Sequence, residues 1–137
     1  MSLEVLVVDD SRSMRDMIRC ALEPAGFTVH TADDGVHGTE VLSGIKPDVI
    51  ITDINMPRLD GFDFIGAVRD FDAYRSTPIL VLTTEAAPEL KQRARKAGAT
   101  GWIVKPFDPV KLVKALQMVA GQDRRMSTPD PMEDIRV

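Results

Sequence analysis

The sequence predicts an α/β fold in which five strands alternate with five helices in a parallel sheet, and three observations carry that prediction. Short apolar runs alternate five times with segments of helical periodicity. The runs are apolar almost throughout, as in strands whose two faces are both covered. Gly, Pro and short polar clusters punctuate the junctions, leaving room for right-handed crossovers between parallel neighbours.

The first apolar run, Leu3 to Val8, stops abruptly at Asp9 and Asp10, and Met14, Met17, Ile18, Ala21 and Leu22 then recur at helical spacing. Pro24 and Gly26 close that helix, and Phe27 to Thr31 has the aromatic and β-branched content of a second strand. After Gly35, the residues Gly38, Val41, Leu42 and Ile45 mark a second helix that Lys46-Pro47 ends. Asp48 to Thr52 is the third strand; it leads into Asp53, a turn-rich Asn55-Met56-Pro57 and Asp60-Gly61, then a helix through Phe64, Ile65 and Val68. Pro78 to Leu82 forms a fourth strand ending in Thr83 and Thr84. The fourth helix, Pro88 to Ala97, turns only Leu90, Ala94 and Ala97 inward, so it is expected to be the most loosely held. Gly98 caps it, Thr100 to Val104 is the fifth strand, and Lys105-Pro106 follows. The last helix carries a broad apolar face from Val110 to Ala120.

The 137 residues suit one domain, placed at 1–120, with 121–137 read as a flexible tail too short for an output domain. With 17 Lys+Arg against 21 Asp+Glu, the net charge of −4 offers no basic field for gripping nucleic acid. Cys20 is the single cysteine, so no internal disulfide forms, and no apolar run is long enough for a membrane span or placed as a secretory leader. The expectation is a monomeric cytoplasmic protein.

In an open parallel sheet, polar groups just beyond the carboxyl ends of the strands converge where the strand order reverses. Here those groups are Asp9 and Asp10, Asp53, Thr83 and Lys105. Taken singly, each has an ordinary reading: an N-cap for Asp10 or Thr83, a surface charge for Lys105, a turn for Asp60-Gly61, a packing aromatic for Trp102 and a small hydrophobe for Cys20. His30 and His37 read as surface residues. Taken together, three carboxylates in one crevice repel one another by about 4 kcal/mol per pair at 4 Å in an effective dielectric near 20, and so call for a cation. An all-oxygen set suits Mg²⁺, with the Asn55 backbone carbonyl as a further donor, and the absence of His or Cys at these strand ends argues against zinc. A metal and a lysine flanking one aspartate suit phosphoryl transfer to the Asp53 carboxylate, with Thr83 donating a hydroxyl.

These residues resemble the receiver domain of two-component response regulators from about Leu3 to Ala120. The likeness rests on Val8-Asp9-Asp10-Ser11, Asp53-Ile54-Asn55-Met56-Pro57 with Asp60-Gly61, Leu82-Thr83 and Lys105-Pro106-Phe107. It implies a doubly wound, flavodoxin-like sheet of order 2-1-3-4-5 and a cis Lys105-Pro106 bond. It also implies phosphorylation of Asp53 by a sensor histidine kinase, with Mg²⁺ at Asp9, Asp10, Asp53 and the Asn55 carbonyl. Thr83 and Trp102 would be switch residues that remodel the face made by the fourth helix, fifth strand and fifth helix. Asn55, Glu85 and the short chain look most like chemotaxis regulators, whose partner is the flagellar motor switch; Trp102 stands where Tyr or Phe is usual and Thr84 where Ala is common. On this view the chain is a signalling phosphoacceptor and not an enzyme. The alternatives are a phosphorelay intermediate or phosphate sink outside chemotaxis and, more remotely, an aspartyl-nucleophile phosphatase, whose second acidic residue is Asn55 here.

Overall fold

A computed structural model describes residues 3–123, with side chains described as far as residue 120. Five strands, β1 (Glu4–Val8), β2 (Thr28–Ala32), β3 (Val49–Thr52), β4 (Ile79–Thr83) and β5 (Gly101–Val104), alternate with α1 (Arg12–Leu22), α2 (Gly35–Leu42), α3 (Gly61–Arg69), α4 (Pro88–Ala97) and α5 (Pro109–Asp123). All strand pairs are parallel, in the order β2-β1-β3-β4-β5. Both the fold class and the order agree with the expectation.

Helix starts follow local chemistry. Ser11 caps α1 by accepting the Met14 N–H, Asp34 caps α2 through His37 and Asp60 caps α3 through Asp63. Asp60-Gly61, read from the sequence as a turn, is thus a helix start. α4 lacks a side-chain cap and begins at Pro88, whose missing N–H is no loss at the first helical position. Gly98, at φ 114°, ends α4 in the left-handed conformation that a Cβ disfavours.

Side-chain alternation along the strands divides the interior in two. Val5, Val7, Ile51, Leu80, Leu82 and Ile103 face α1 and α5, meeting Ile18, Leu22, Leu112 and Leu116. Leu6, Val8, Ile50, Val81 and Trp102 face α2, α3 and α4, meeting Leu42, Phe64, Ile65 and Ala94. Burying a side chain such as Ile18 or Leu22 is worth about 1.5–3 kcal/mol, and α1 buries both. α4 fully buries Ala94 alone, in line with its thin apolar stripe. At the other end of the sheet, the 3₁₀ turn Asp72–Tyr74 sends the Tyr74 hydroxyl to the carbonyls of Leu42 and Ile45 at 2.8 and 2.9 Å.

The structure shifts several boundaries. β2 runs one residue later than expected, because the Phe27 N–H closes the end of α1 on Leu22 while Thr28 bonds Leu3. α2 stops at Leu42 because Ser43 turns back on Glu40 through both its N–H and its hydroxyl. α5 continues to Asp123, so the loss of apolar periodicity at Gly121 does not end the helix; the rest of the expected tail lies outside the described residues. Cys20, read as a small hydrophobe, is exposed on α1. His30 pairs with Glu4 at 2.8 Å and His37 with Asp33 at 3.0 Å. No helix among the described residues is long and apolar enough to cross a membrane.

Candidate functional site

The strand register brings the carboxylates together. Val8 pairs with Thr52 across β1 and β3, and the Asp53 N–H bonds the Val8 carbonyl at 3.0 Å, so Asp9 and Asp53 leave neighbouring strands side by side. On the other side of β4, Thr83 pairs with Val104, and the Lys105 N–H bonds the Thr83 carbonyl at 2.7 Å. The Lys105-Pro106 bond is cis, as expected.

From there Lys105 reaches back across the edge of β4. Its Nζ donates to Asp9 Oδ2 and to Asp53 Oδ2, each at 2.9 Å. Asp9 is 2% exposed and Asp53 8%, whereas Asp10 faces solvent. The second oxygen of each buried carboxylate is also bonded: Asp9 Oδ1 accepts the Ser11 N–H at 2.9 Å and Asp53 Oδ1 the Ile54 N–H at 2.6 Å. Burial pushes the Asp9 carboxyl above its usual range and the Asp53 charge pushes the same way, against the opposing pull of Lys105 and the Ser11 amide. Burial also works against the Lys105 ammonium, but the hydrogen bonds and charges of Asp9 and Asp53 outweigh it and hold the Lys105 pKa above its usual value.

One oxygen each from Asp9, Asp10 and Asp53 lie within 4.8 Å of one another. Three carboxylates against one ammonium leave two negative charges, which a divalent cation balances. The donors are all hard oxygens with one open, solvent-facing side, so the cluster fits a hard oxygen-seeking cation that keeps part of its water shell.

The remaining expected residues sit on the loop after β3, at the end of β4 and on β5. Asn55 sits on the loop after β3, exposed, with Nδ2 at 3.4 Å from Glu85 Oε1. Thr83 is fully buried at the end of β4, and its hydroxyl oxygen accepts the Glu85 N–H at 3.4 Å. Trp102 is already packed in the core beneath, 1% exposed, with its indole N–H donating to the Glu85 carbonyl at 3.0 Å. Thr84 is exposed. Glu85 therefore touches all three, through its side chain, its N–H and its carbonyl.

Three contacts went unread in the sequence. The Arg15 guanidinium donates to the Asp9 carbonyl at 2.6 Å, bracing the first strand end from α1. Arg58 forks onto Asp34, 24 residues away. The third is the Glu85 junction itself. Asp34 had a local signal, as an acidic residue immediately before a helix; Arg58 had none, because a long-range ion pair leaves no periodicity.

These features, a 2-1-3-4-5 parallel sheet with an acidic cluster and a bridging lysine at its carboxyl edge, define a doubly wound α/β domain of the receiver type. The chain belongs to the response regulator receiver domain family, which it matches over residues 5–117. It is 39% identical over 121 residues to the chemotaxis protein CheY1 of Helicobacter pylori, an alignment covering 87% of this chain and 98% of that protein. Among solved structures it resembles the chemotaxis response regulator CheY4 of Vibrio cholerae, with 50% identity, a TM-score of 0.83 and coverage of 87% of this chain and 99% of that one. It also resembles the receiver domain of the Pseudomonas aeruginosa sensor histidine kinase PA1611, solved with a magnesium ion coordinated in its active site cleft. There the identity is 27% and the TM-score 0.82, over 88% of this chain and 99% of that one.

Proposed function

We propose that this chain is a phospho-accepting response regulator that takes a phosphoryl group on Asp53 from a histidine kinase and signals through phosphorylation-dependent protein binding. The observation that carries the reading is Lys105 Nζ bridging Asp9 and Asp53 at 2.9 Å each, a buried cation set beside a carboxylate flanked by two more.

In this mechanism an Asp53 carboxylate oxygen attacks phosphorus, the new P–O bond forms as the P–N bond to the donor imidazole breaks, and the imidazole leaves with the N–P electron pair. The Ile54 N–H holds one Asp53 oxygen and so fixes the plane of the carboxylate. Lys105 is close enough to exchange one carboxylate contact for a phosphoryl oxygen, neutralising charge as it arrives. Asp9, Asp10, Asp53 and the Asn55 carbonyl would hold Mg²⁺, which supplies charge neutralisation and orientation of phosphoryl oxygens. Thr83 donates its hydroxyl to another phosphoryl oxygen after giving up the Glu85 N–H, and a 3.4 Å bond is weak enough to surrender. Because Glu85 also holds Trp102 and reaches Asn55, that exchange carries to β5 and the neighbouring face of α4.

The likeness to CheY1 and CheY4 supports a chemotaxis role in the cytoplasm, with a chemotaxis-type kinase upstream and the flagellar motor switch as output partner. Incubation with acetyl phosphate or a phosphorylated kinase and Mg²⁺ adds the mass of one phosphoryl group, and Asp53→Asn does not acquire it; an unmodified wild type overturns the reading. Normal swimming in a deletion strain would reassign the chain to a phosphorelay or phosphate sink.

A further inference from the structure

We propose that Arg58 and Asp34 form a positioning pair that holds the loop between β3 and α3, and with it the Asn55 carbonyl, in register with the acidic cluster. This rests on the phosphoacceptor reading of that cluster. Arg58 is the one non-glycine residue with positive φ among the described residues, at 67°. A branched-out L side chain stays in that conformation only where its surroundings hold it there.

The holding contact is a two-pronged fork: Arg58 Nε donates to Asp34 Oδ2 at 2.5 Å and Nη2 to Oδ1 at 2.9 Å. Such planar pairing fixes direction as well as distance. Asp34 is itself immobilised. Its Oδ1 also caps α2 by accepting the His37 N–H at 2.8 Å, and its side chain is 8% exposed. The next loop residue adds a steric contact, since a Cβ on Gly35 would lie 2.4 Å from the Leu59 carbonyl oxygen. At the foot of the loop, the Gly61 N–H bonds the Ile54 carbonyl at 2.9 Å, and a Cβ on Gly61 would lie 2.2 Å from the Asp53 carbonyl oxygen. The loop is therefore closed on Asp53 at one end and tied to the start of α2 at the other, and Asn55-Met56-Pro57 spans the two anchors.

Two conservative variants of the full chain isolate the pair. Arg58→Asn tolerates the left-handed backbone without the fork, and Asp34→Asn keeps an oxygen for the α2 cap while losing the charge. Calorimetric titration with Mg²⁺ is expected to show binding about 10-fold weaker in each, at the low end of the range for residues supporting metal ligands, and no further loss in the double variant. Hydrogen exchange without metal is expected to be faster at residues 55–59 than in the wild type, with the α1 and α5 amides unchanged. The sign in Arg58→Asn is diagnostic, because removing a nearby positive charge would by electrostatics alone strengthen cation binding. Unchanged affinity in both variants, with a wild type that does bind Mg²⁺, overturns the positioning pair and leaves the proposed function standing. A wild type that binds no Mg²⁺ and accepts no phosphoryl group overturns both.

Discussion

Replacing Lys105 by Met removes the cation while keeping most of the side-chain volume, and the geometry sets the size of the effect. Each 2.9 Å contact from Nζ is worth about 6 kcal/mol of Coulomb attraction at an effective dielectric of about 20. Desolvation of the ammonium, which is 10% exposed, and repulsion between Asp9 and Asp53 cancel much of that. The net loss expected at pH 7, from stranding two buried carboxylates, is about 3–5 kcal/mol. Its pH dependence is a sharper test. Lys105 has a raised pKa, so its stabilising contribution is complete at neutral pH and fades only as the pH climbs through that raised value. Asp9 also has a raised pKa, so the stability linked to it is greatest in acid and falls as the pH rises through its folded value. Without Lys105 the Asp9 value rises further, so the gap between wild type and variant narrows toward acid. Urea unfolding followed by the emission of buried Trp102, at about pH 5 and pH 7, measures both numbers. A variant within about 0.5 kcal/mol of wild type at pH 7, or a gap that does not shrink at pH 5, refutes the account of the site as a lysine-compensated carboxylate pair.

Other substitutions probe separate parts of the structure. Tyr74→Phe leaves the Leu42 and Ile45 carbonyls without their donor and is expected to lower the unfolding free energy by about 1–2 kcal/mol in denaturant titration. Gly61→Ala drives a methyl group into the Asp53 carbonyl oxygen, with an expected loss of about 3 kcal/mol and no phosphoryl uptake by mass spectrometry in whatever remains folded. Mg²⁺ at about 100 times its dissociation constant should raise stability by about 2.7 kcal/mol, and exposed Asp10→Asn should remove at least half of that increment while barely altering the metal-free protein. Hydrogen bonding to Arg58 and to the His37 amide holds the Asp34 pKa low, so its contribution is present above the ordinary carboxylate range and lost as the pH falls through the lowered value. The stability difference between wild type and Asp34→Asn should accordingly be flat from about pH 7 to pH 5 and close below about pH 4.

The residues at the strand ends were legible because the topology itself determines where they go. Once Val8, Thr52 and Val104 end parallel strands of one sheet, Asp9, Asp53 and Lys105 have only one edge on which to meet. The sparse burial of α4 was likewise readable, because a helix can bury only the apolar residues its sequence supplies. What escaped reading depends on choices made between distant segments. The sequence places Trp102 on β5, but the acceptor that satisfies its indole N–H is a main-chain carbonyl 17 residues away, and every residue type offers one. Arg58 reads as an ordinary exposed arginine until Asp34 is found opposite it. The end of α2 was misplaced because Ile45 continues the helical spacing, whereas Ser43 supplies the bonds that stop the chain three residues earlier.

The two-sided interior has consequences for how the sequence can drift. Trp102, Phe62 and Ala94 belong to the cluster beneath α2, α3 and α4, as does Ile54, the neighbour of Asp53. The α1 and α5 cluster shares none of these residues. The sheet acts as a firewall between them: a large-to-small change at Ile18, Leu112 or Leu116 opens space on one side and leaves the packing around Trp102 and Ile54 in place, so the two halves can repack independently.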